Sequence, residues 1–583
     1  MAVSVLSGSR VYGLILAFLA SAAVSLAQHP KQALDLSRDP DATVDVIVQF
    51  TVTPTAEHHR KIIEKGGKLK ADLGFIRAGA YTVRASDLDR LANDPEVRYI
   101  SPDRTVSPAL DIANPTVNAN IARQYGWTGA GIGIALIDSG LQTNNDLNNP
   151  SVKGKTPTSR VVYSQNFSTD STTTDGHGHG THVAGVLGGD GYMSTGTAYT
   201  RSFIGIAPAA SLIDLKVLNS SGQGSDSAVI SAIQEAIALK SKYNIRVINL
   251  SLGRPVYESY TLDPLCQAVE QAWKAGIVVV VAAGNSGRDN SRNTSGYGTI
   301  GAPGNDPYAI TVGAMKDEGT ITRSDDLIAS YSSKGPTQVD HIVKPDIVAP
   351  GNRVISLAQP ASFVFANSSL ATNLIDLSYY ESGGPNFAST AYYSLSGTSI
   401  AAPMVSGAAA LLLQQTPGLT PDQVKARLMK TATKTFPANS VATDPVTGIS
   451  YTSQYDIFTV GAGYLDVWAA LNSTDLASGS AASPTAVYNA STGAVTVQNT
   501  PVSGTTVVWG STVVWGSTVV WGSSVWVSGS SVVWGSTVVW GSTVVWGSST
   551  NTGFDSVWGS TSVWSESTQS ATESLSLLVN GEK

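Results

Sequence analysis

Cysteine is nearly missing from this 583-residue chain: Cys266 stands alone, so no intrachain disulfide can form. Stability therefore falls to packing, with a contribution from bound ions left open. Charge is sparse as well, at 14% of residues with a formal net charge of −7, which leaves no basic excess to hold nucleic acid or an anionic membrane. Beyond residue 27 no apolar run is long enough to span a bilayer. Between Asp475 and Asp555 there is no Asp, Glu, Lys or Arg at all. Cys266 itself falls in an apolar helical pattern with Leu265, Val269 and Trp273, the setting of a small buried residue rather than of a reactive thiol.

What is present divides the chain into segments, as its length leads one to expect. Arg10 is the only charge ahead of an apolar run over 14–26, and Ser25 and Ala27 place small residues where a signal peptidase cuts. Residues 1–27 are therefore expected to be an export signal cleaved after Ala27, with an uncleaved anchor as the alternative; export implies a secreted, extracellular or cell-surface protein. Residues 28–108 read as a small α+β unit in the order β-α-β-β-α-β. Val44, Val46, Val48 and Phe50 alternate as a half-buried strand does. A helix over 56–65 stops at Gly66-Gly67. Extended segments follow at 73–75 and 80–85, Ser86 with Asp89 forms an N-cap pair opening a helix to Asn93, and 97–100 is a last strand.

Residues 109–472 alternate strand with helix. The apolar runs 132–137, 212–217, 247–250 and 277–282 suit strands buried on both faces of a parallel sheet, with helical patterns such as 227–243 and 265–275 between them. The expected fold class is α/β, with right-handed crossovers and helices on both sheet faces. Sites in such sheets gather at the carboxyl ends of strands. Asp138, Ser251 and Asn285 each follow one of these runs, so all three fall on one edge. Residues 473–503 read as a linker with one hairpin over 486–497, and 567–583 as a C-terminal extension. Between them, over 504–566, a hexad repeats (Val507-Val508-Trp509-Gly510-Ser511-Thr512 and its copies), and nine of the chain's 12 tryptophans lie there. Gly-Ser fits a two-residue turn, so the hexads could form a meander of very short strands; each could also be one side of a β-solenoid. Either would present a row of tryptophans able to grip a cell-wall polymer or polysaccharide, or a neighbouring chain. The third reading is an uncharged, strand-loving and aggregation-prone tract with no partner.

Three Gly-rich segments carry the chemistry: Asp138-Ser139-Gly140, His179-Gly180-Thr181-His182-Val183-Ala184-Gly185 and Ser396-Gly397-Thr398-Ser399-Ile400-Ala401-Ala402-Pro403. A free serine is protonated and weakly nucleophilic. An imidazole can take its proton and return it to a leaving amine, and a carboxylate behind the ring fixes the tautomer and stabilises the imidazolium. The assignment is Ser399 as nucleophile, His179 as general base and acid, and Asp138 as orienting carboxylate. Ser399 opens an apolar helix, whose dipole favours negative charge at that end. His177, His179 and His182 together could suggest a metal cluster, but no Cys, Asp or Glu follows them at a zinc-ligand spacing.

The chain order Asp, His, Ser, at spacings of about 40 and then 220 residues, resembles the subtilisin-like serine proteases, since the same trio occurs in other orders on unrelated scaffolds. Gly205-Ile206-Ala207-Pro208 and Ser332-Ser333-Lys334-Gly335-Pro336 are similar to that family too, and together the matches cover most of 109–472. The resemblance implies a serine endopeptidase that works through an acyl-enzyme and acts on extended protein or peptide substrates. It implies that Ala282-Ala283-Gly284-Asn285 is the oxyanion segment, with Asn285 donating its amide beside the Ser399 N–H. It implies that Asn249-Leu250-Ser251-Leu252-Gly253 pairs with the substrate backbone, that Ser221, Gly222 and Gln223 belong to the opposite strand, and that Gly301 floors the first specificity pocket. No acidic residue stands at these positions, so large apolar side chains are the expected preference. His182 fits the family's second, structural histidine. Residues 28–108 resemble the family's propeptide, a ferredoxin-like folding assistant and inhibitor, with self-cleavage expected between Ile100 and Ala113. No cofactor is needed for the chemistry. The family often binds calcium, and Asp146 lies about where one ligand is usual, although the loop 188–202 departs from the family's ligand pattern; the metal ligands stay unassigned and structural calcium stays open.

Two rival functions remain at this level. One is a surface-binding protein acting through the Trp-rich tail, with an inert protease domain. The other is a metal-dependent hydrolase built on the three histidines.

Overall fold

The computed structural model describes residues 29–33, 36, 39–74, 77–102, 112–149, 157–291, 293–367, 373–444, 447–489, 494–498, 525–526, 531–532, 544–545 and 577–582. The chain divides into two units, Met1–Ser107 and Pro108–Lys583. The expected export signal at 1–27 lies outside the described residues, as do most of the hexad tract and most of the stretch expected to be cut.

In the first unit, β1 (Thr43–Phe50), α1 (Ala56–Ile63), β2 (Lys68–Leu73), β3 (Ala78–Arg84), α2 (Leu88–Ala92) and β4 (Val97–Pro102) follow one another. The four strands form one antiparallel sheet in the order β2-β3-β1-β4. Val46, Val48, Tyr81, Val83, Leu91 and Ile100 make its core, and the buried Tyr81 hydroxyl is satisfied by His59 Nδ1 at 2.7 Å. Two local expectations fail. The strand expected at 73–75 ends at Leu73 and begins at Lys68. No side chain caps α2, which grows out of a 3₁₀ turn, Ala85–Asp87. Asp87 instead pairs with Arg84 and Arg90.

The second unit opens with two short helices, α3 (Ala113–Thr116) and α4 (Ala119–Gln124). Then come β5 (Gly133–Asp138), β6 (Val161–Asn166), α5 (His179–Gly188), β7 (Ser211–Lys216), α6 (Asp226–Ala238), α7 (Lys240–Tyr243), β8 (Ile245–Leu250), α8 (Pro264–Lys274), β9 (Val278–Ala282) and β10 (Ile310–Lys316). After β11 (Leu327–Ile328), β12 (Ile347–Pro350), β13 (Val354–Leu357), α9 (Phe363–Asn367), β14 (Leu374–Asp376) and β15 (Ala388–Leu395), the chain enters α10 (Thr398–Gln415) and α11 (Pro421–Thr431). The order β11-β10-β9-β8-β5-β7-β6, with β12 also on β10, makes an eight-stranded sheet. Every pairing in it is parallel except β10 with β11. β5 and β9 are buried at every residue, which is why they read as unbroken apolar runs. The helix expected over 227–243 breaks at Leu239 into α6 and α7. Asp263 caps α8 by accepting from Leu265 N at 2.9 Å, with Pro264 in its first turn. Cys266 sits on α8, fully buried, its thiol pushed far up by burial.

α10 runs through the core and is buried almost all round, as expected of a helix with no polar face. Later come β16 (Asn439–Thr443), β17 (Ser450–Gln454) and α12 (Val467–Asn472). The linker hairpin pairs β18 (Thr485–Asn489) with β19 (Ala494–Gln498). Inside the hexad tract the described residues are three two-residue strands, Val525–Trp526, Ser531–Val532 and Val544–Val545. Among the described residues no helix is long and apolar enough to cross a membrane.

Candidate active site

The sheet topology brings the three chemical segments together. Asp138 is the last residue of β5, His179 the first of α5, and Ser399 the second of α10. His179 Nδ1 lies 2.8 Å from Asp138 Oδ1, and His179 Nε2 lies 3.0 Å from Ser399 Oγ. Asp138 also accepts from Ser139 N at 2.7 Å. Gly180 makes this approach possible, because a Cβ there would come 2.3 Å from the Gly140 carbonyl and 3.2 Å from Asp138 Oδ1.

Asp175 anchors the turn that leads into α5. Its carboxylate accepts from Ser139 Oγ at 2.8 Å, Gly178 N at 2.7 Å, Thr181 N at 2.8 Å and Thr181 Oγ1 at 2.6 Å. Sequence reading passed over it. Its signal was an acidic residue between a Thr run and a His/Gly run, where a loop needs a multiple acceptor.

Burial pulls the His179 pKa down, but Asp138, by charge and hydrogen bond, and Asp175 by charge more than reverse this, so it lies above 6.5. The flanking histidines behave otherwise. Burial and the neighbouring His179 push His177 down to about 4 and His182 down to about 3. His177 stacks on Phe363, and His182 Nε2 contacts the Val354 carbonyl at 3.0 Å. The three rings thus have three different partners, and among the described residues no group of three His, Cys, Asp or Glu side chains is disposed to hold a metal ion.

Asn285, past the end of β9, faces the same edge. Its Oδ1 accepts from Thr398 N at 2.9 Å and Thr398 Oγ1 at 3.1 Å. This fixes the amide with Nδ2 toward Gly397 and Ser399: a Cβ on Gly397 would lie 3.2 Å from Nδ2 and 3.0 Å from Ser399 Oγ. The Ser399 N–H lies in the first helical turn, where no intrahelical acceptor exists. Two donors therefore flank the space above the hydroxyl.

Ser251, Leu252, Gly253 and Gly301 come together, lining a cavity of about 430 Å³ with Asn285 and Ser399. Thr299, Ile300 and Arg254 are among its other lining residues. The Arg254 charge is spent on Asp226 and Asp263, each at 2.9 Å. Ser221, Gly222 and Gln223 do not join this cavity and do not form a strand. They make a turn in which Asn219 Oδ1 accepts from Ser221 N at 2.9 Å and Gln223 N at 3.0 Å. Gly222 packs on His177, with room for a Cβ only 2.7 Å from its Nε2.

Ser251 has a second partner. Pro403 stands four residues after Ser399 in α10 and has no N–H to give the Ser399 carbonyl. Ser251 Oγ donates there instead, at 2.6 Å, and is itself held by Asn249 Nδ2 at 2.9 Å.

The surroundings of Asp146 do not fit a calcium ion. Its carboxylate accepts from Met193 N at 2.8 Å and Tyr392 OH at 2.6 Å. The Arg160 guanidinium fills the cradle of carbonyls beside it, donating to Asp146 O at 2.7 Å, Gly188 O at 2.5 Å, Ala210 O at 3.1 Å and Asn148 O at 3.1 Å. Burial raises Asp146 to about 6, against the hydrogen bonds from Tyr392 and Met193.

Comparison with known proteins agrees with the geometry. Residues 129–463 match the subtilase family. Serine protease AprX of Bacillus subtilis is 37% identical over 385 residues, 64% of this chain and 77% of that protein. Subtilisin E of the same organism is 33% identical over 397 residues, 66% of this chain and 84% of that protein. Subtilisin DY of Bacillus licheniformis is 36% identical over 321 residues, 55% of this chain and 90% of that protein. The family match spans more than half of the chain and contains every residue that meets at the carboxyl edge of the sheet, and on that ground the chain belongs to the subtilase family and is a subtilisin-like serine endopeptidase.

Proposed function

We propose that this endopeptidase hydrolyses peptide bonds through Asp138, His179 and Ser399, and that it is exported and matures by cutting itself. The observation that carries the reading is the position of His179, with one ring nitrogen on a buried carboxylate and the other on a hydroxyl. As Ser399 Oγ attacks the scissile carbonyl, His179 Nε2 takes its proton. The carbonyl oxygen becomes an oxyanion held by Asn285 Nδ2 and Ser399 N. His179⁺ then gives that proton to the departing amine, leaving an acyl-serine. A water molecule repeats the sequence: its proton passes through His179 back to Ser399 as the acid leaves. No step calls on a metal.

Residues 28–108 act as an inhibitor and folding assistant in this reading, supported by their place ahead of the protease unit and by their four-stranded antiparallel sheet. The Asp146 cradle is closed by Arg160 in place of calcium. The cavity beside Ser399 takes large apolar side chains, since its one lining charge is already paired. Any contact between the Trp-rich tail and a cell-wall polymer or polysaccharide would be added to proteolysis and would not replace it.

The test compares the chain with Ser399→Ala, both expressed without residues 1–27. The parent should process itself between residues 100 and 113, degrade casein and be inactivated by a serine-directed covalent inhibitor. Ser399→Ala should do none of these. Equal processing and equal activity of the two would overturn the assignment.

A further inference from the structure

Residues 577–582 lie well beyond the region shared with the family, yet they are built into the protease unit. Glu582 is the anchor: its side chain is 4% exposed. Its Oε2 accepts from Arg288 Nη2 at 2.9 Å, from Ser330 N at 2.9 Å and from the Ser330 hydroxyl. Its Oε1 faces Lys316 Nζ at 3.2 Å. Its main chain exchanges two bonds with the Asn352 amide: Glu582 N donates to Oδ1 at 2.7 Å, and Nδ2 donates to Glu582 O at 2.8 Å. Val579 is buried in the main core.

Three contacts of the segment reach the loops that carry the reacting groups. The Leu578 carbonyl accepts from Ser396 N at 2.9 Å, on the turn that delivers Ser399. Gly581 packs so closely on the same turn, at φ +64°, that a Cβ would come 2.4 Å from Ser396 Oγ. Arg288, the cation shared by Glu582 and Asp444, lies three residues after Asn285 in the loop that follows β9. One short segment thus grips the loop carrying the nucleophile and the loop carrying the oxyanion donor.

We propose that residues 577–582 are an intramolecular clasp that holds Ser399 and Asn285 in mutual register, with Glu582 and Leu578 as positioning residues. The proposal rests on the triad reading above. It has a topological consequence. The tract 499–576 is joined to the protease unit at both ends, by the β18–β19 hairpin before it and by the clasp after it. Ser483 holds the first end, donating to Asp346 Oδ1 at 2.5 Å.

The clasp is tested on the full chain, on a chain stopped after residue 576, on Glu582→Gln and on Gly581→Val. Rates on a chromogenic peptide are divided by the active-site concentration, titrated with a serine-directed inhibitor, so that misfolded protein does not count. Loss of register should lower kcat per titrated site about 10–100-fold in the stopped chain, with KM nearly unchanged, and slow the acylation by the inhibitor in step. Glu582→Gln and Gly581→Val should fall between. A synthetic peptide of residues 577–582 should restore part of the rate to the stopped chain and none to Ser399→Ala. Unchanged kcat per site in the stopped chain overturns the clasp and leaves the triad intact. If the stopped chain yields no titratable sites, Glu582→Gln decides: full kcat per site overturns the clasp as well.

Discussion

Replacing Asn285 by alanine isolates the oxyanion donor from every other part of the site. The side chain has two ends with separate tasks. Oδ1 is occupied by Thr398 N and Oγ1, at 2.9 and 3.1 Å, so the amide cannot rotate. Thr398 Oγ1 is in turn fixed by Gly284 N at 3.0 Å. Nδ2 is left to meet an oxygen that carries full charge only in the tetrahedral state. Removing one such donor costs about 2.7–4 kcal/mol of transition-state stabilisation, a value found in a subtilisin, a relative of this chain, and equal to about 10²–10³ in kcat. The neutral carbonyl of bound substrate gains little from the same donor, so KM should stay within about threefold. Asn285→Asp sharpens the test. It keeps the shape and the bonds from Thr398 but offers an acceptor, with negative charge, to the oxyanion, and should lose at least as much as alanine. Thr398→Val removes one of the two hydrogen bonds to Oδ1 and also the acceptor of Gly284 N, and should cost about 1–3 kcal/mol. Steady-state kcat and KM on a chromogenic peptide, normalised by active-site titration, read all three. A rise in KM at unchanged kcat for Asn285→Ala would show that the residue binds ground-state substrate, and the oxyanion assignment would fail.

Three further outcomes follow from the same contacts. The pKa of His179 lies above 6.5 and the neutral ring is the base, so kcat/KM should rise with pH through a value above 6.5. Asp138→Asn should move that limb to lower pH, since Asp175 alone is then left to oppose burial, and should lower kcat about 10⁴-fold; an unmoved limb in a pH–rate profile would refute the pairing. His177, held near 4, adds nothing to the limb. Ser251→Ala should cost about 1–3 kcal/mol in denaturant unfolding, because the Ser399 carbonyl then has no donor; unchanged stability would refute this role. Arg160→Ala should destabilise by at least about 2 kcal/mol, as four carbonyls lose a charged donor, while a chelator should leave the parent's melting temperature unchanged. A chelator that destabilises the parent as much as the substitution does would put a cation back into that region.

The parts legible in the sequence are those in which one residue or one run suffices for the inference. β5, β8 and β9 were readable because a strand buried on both faces is apolar along most of its length, interrupted here by Arg246 and Asn249 in β8 and by Asp138 at the end of β5. Their carboxyl ends then put Asp138, Ser251 and Asn285 on one edge. The Asp-His-Ser order did the rest, because three groups so far apart in sequence have no structural reason to carry that chemistry together. The failures share another cause. The capped helix at Ser86, the strand at 73–75, the unbroken helix over 227–243 and the strand at Ser221–Gln223 were all local inferences decided elsewhere: Asp87 found two arginines, and Asn219 closed a turn on its own neighbours. Asp146 was matched to calcium by position alone. Nothing near it in sequence points to Arg160, which comes from β6's approach and supplies a fixed guanidinium beside a residue for which the resemblance had left a structural ion open.

Ser251 shows most clearly why a motif underdetermines its residues. Resemblance assigned it to the strand that receives substrate, and it does line the cavity beside Ser399. Its hydroxyl, however, is committed. Pro403 ends the run Ser399-Ile400-Ala401-Ala402-Pro403 and strips the Ser399 carbonyl of its helical donor. The missing bond is supplied across the core by Ser251, through the chain Ser406 Oγ to Asn249 Oδ1 at 2.7 Å and Asn249 Nδ2 to Ser251 Oγ at 2.9 Å. A proline that weakens α10 at its first turn therefore welds the nucleophile to β8, the strand leading to the substrate-binding segment. The two segments appear in the sequence as separate motifs about 150 residues apart, and only the fold reveals that one completes the hydrogen bonding of the other.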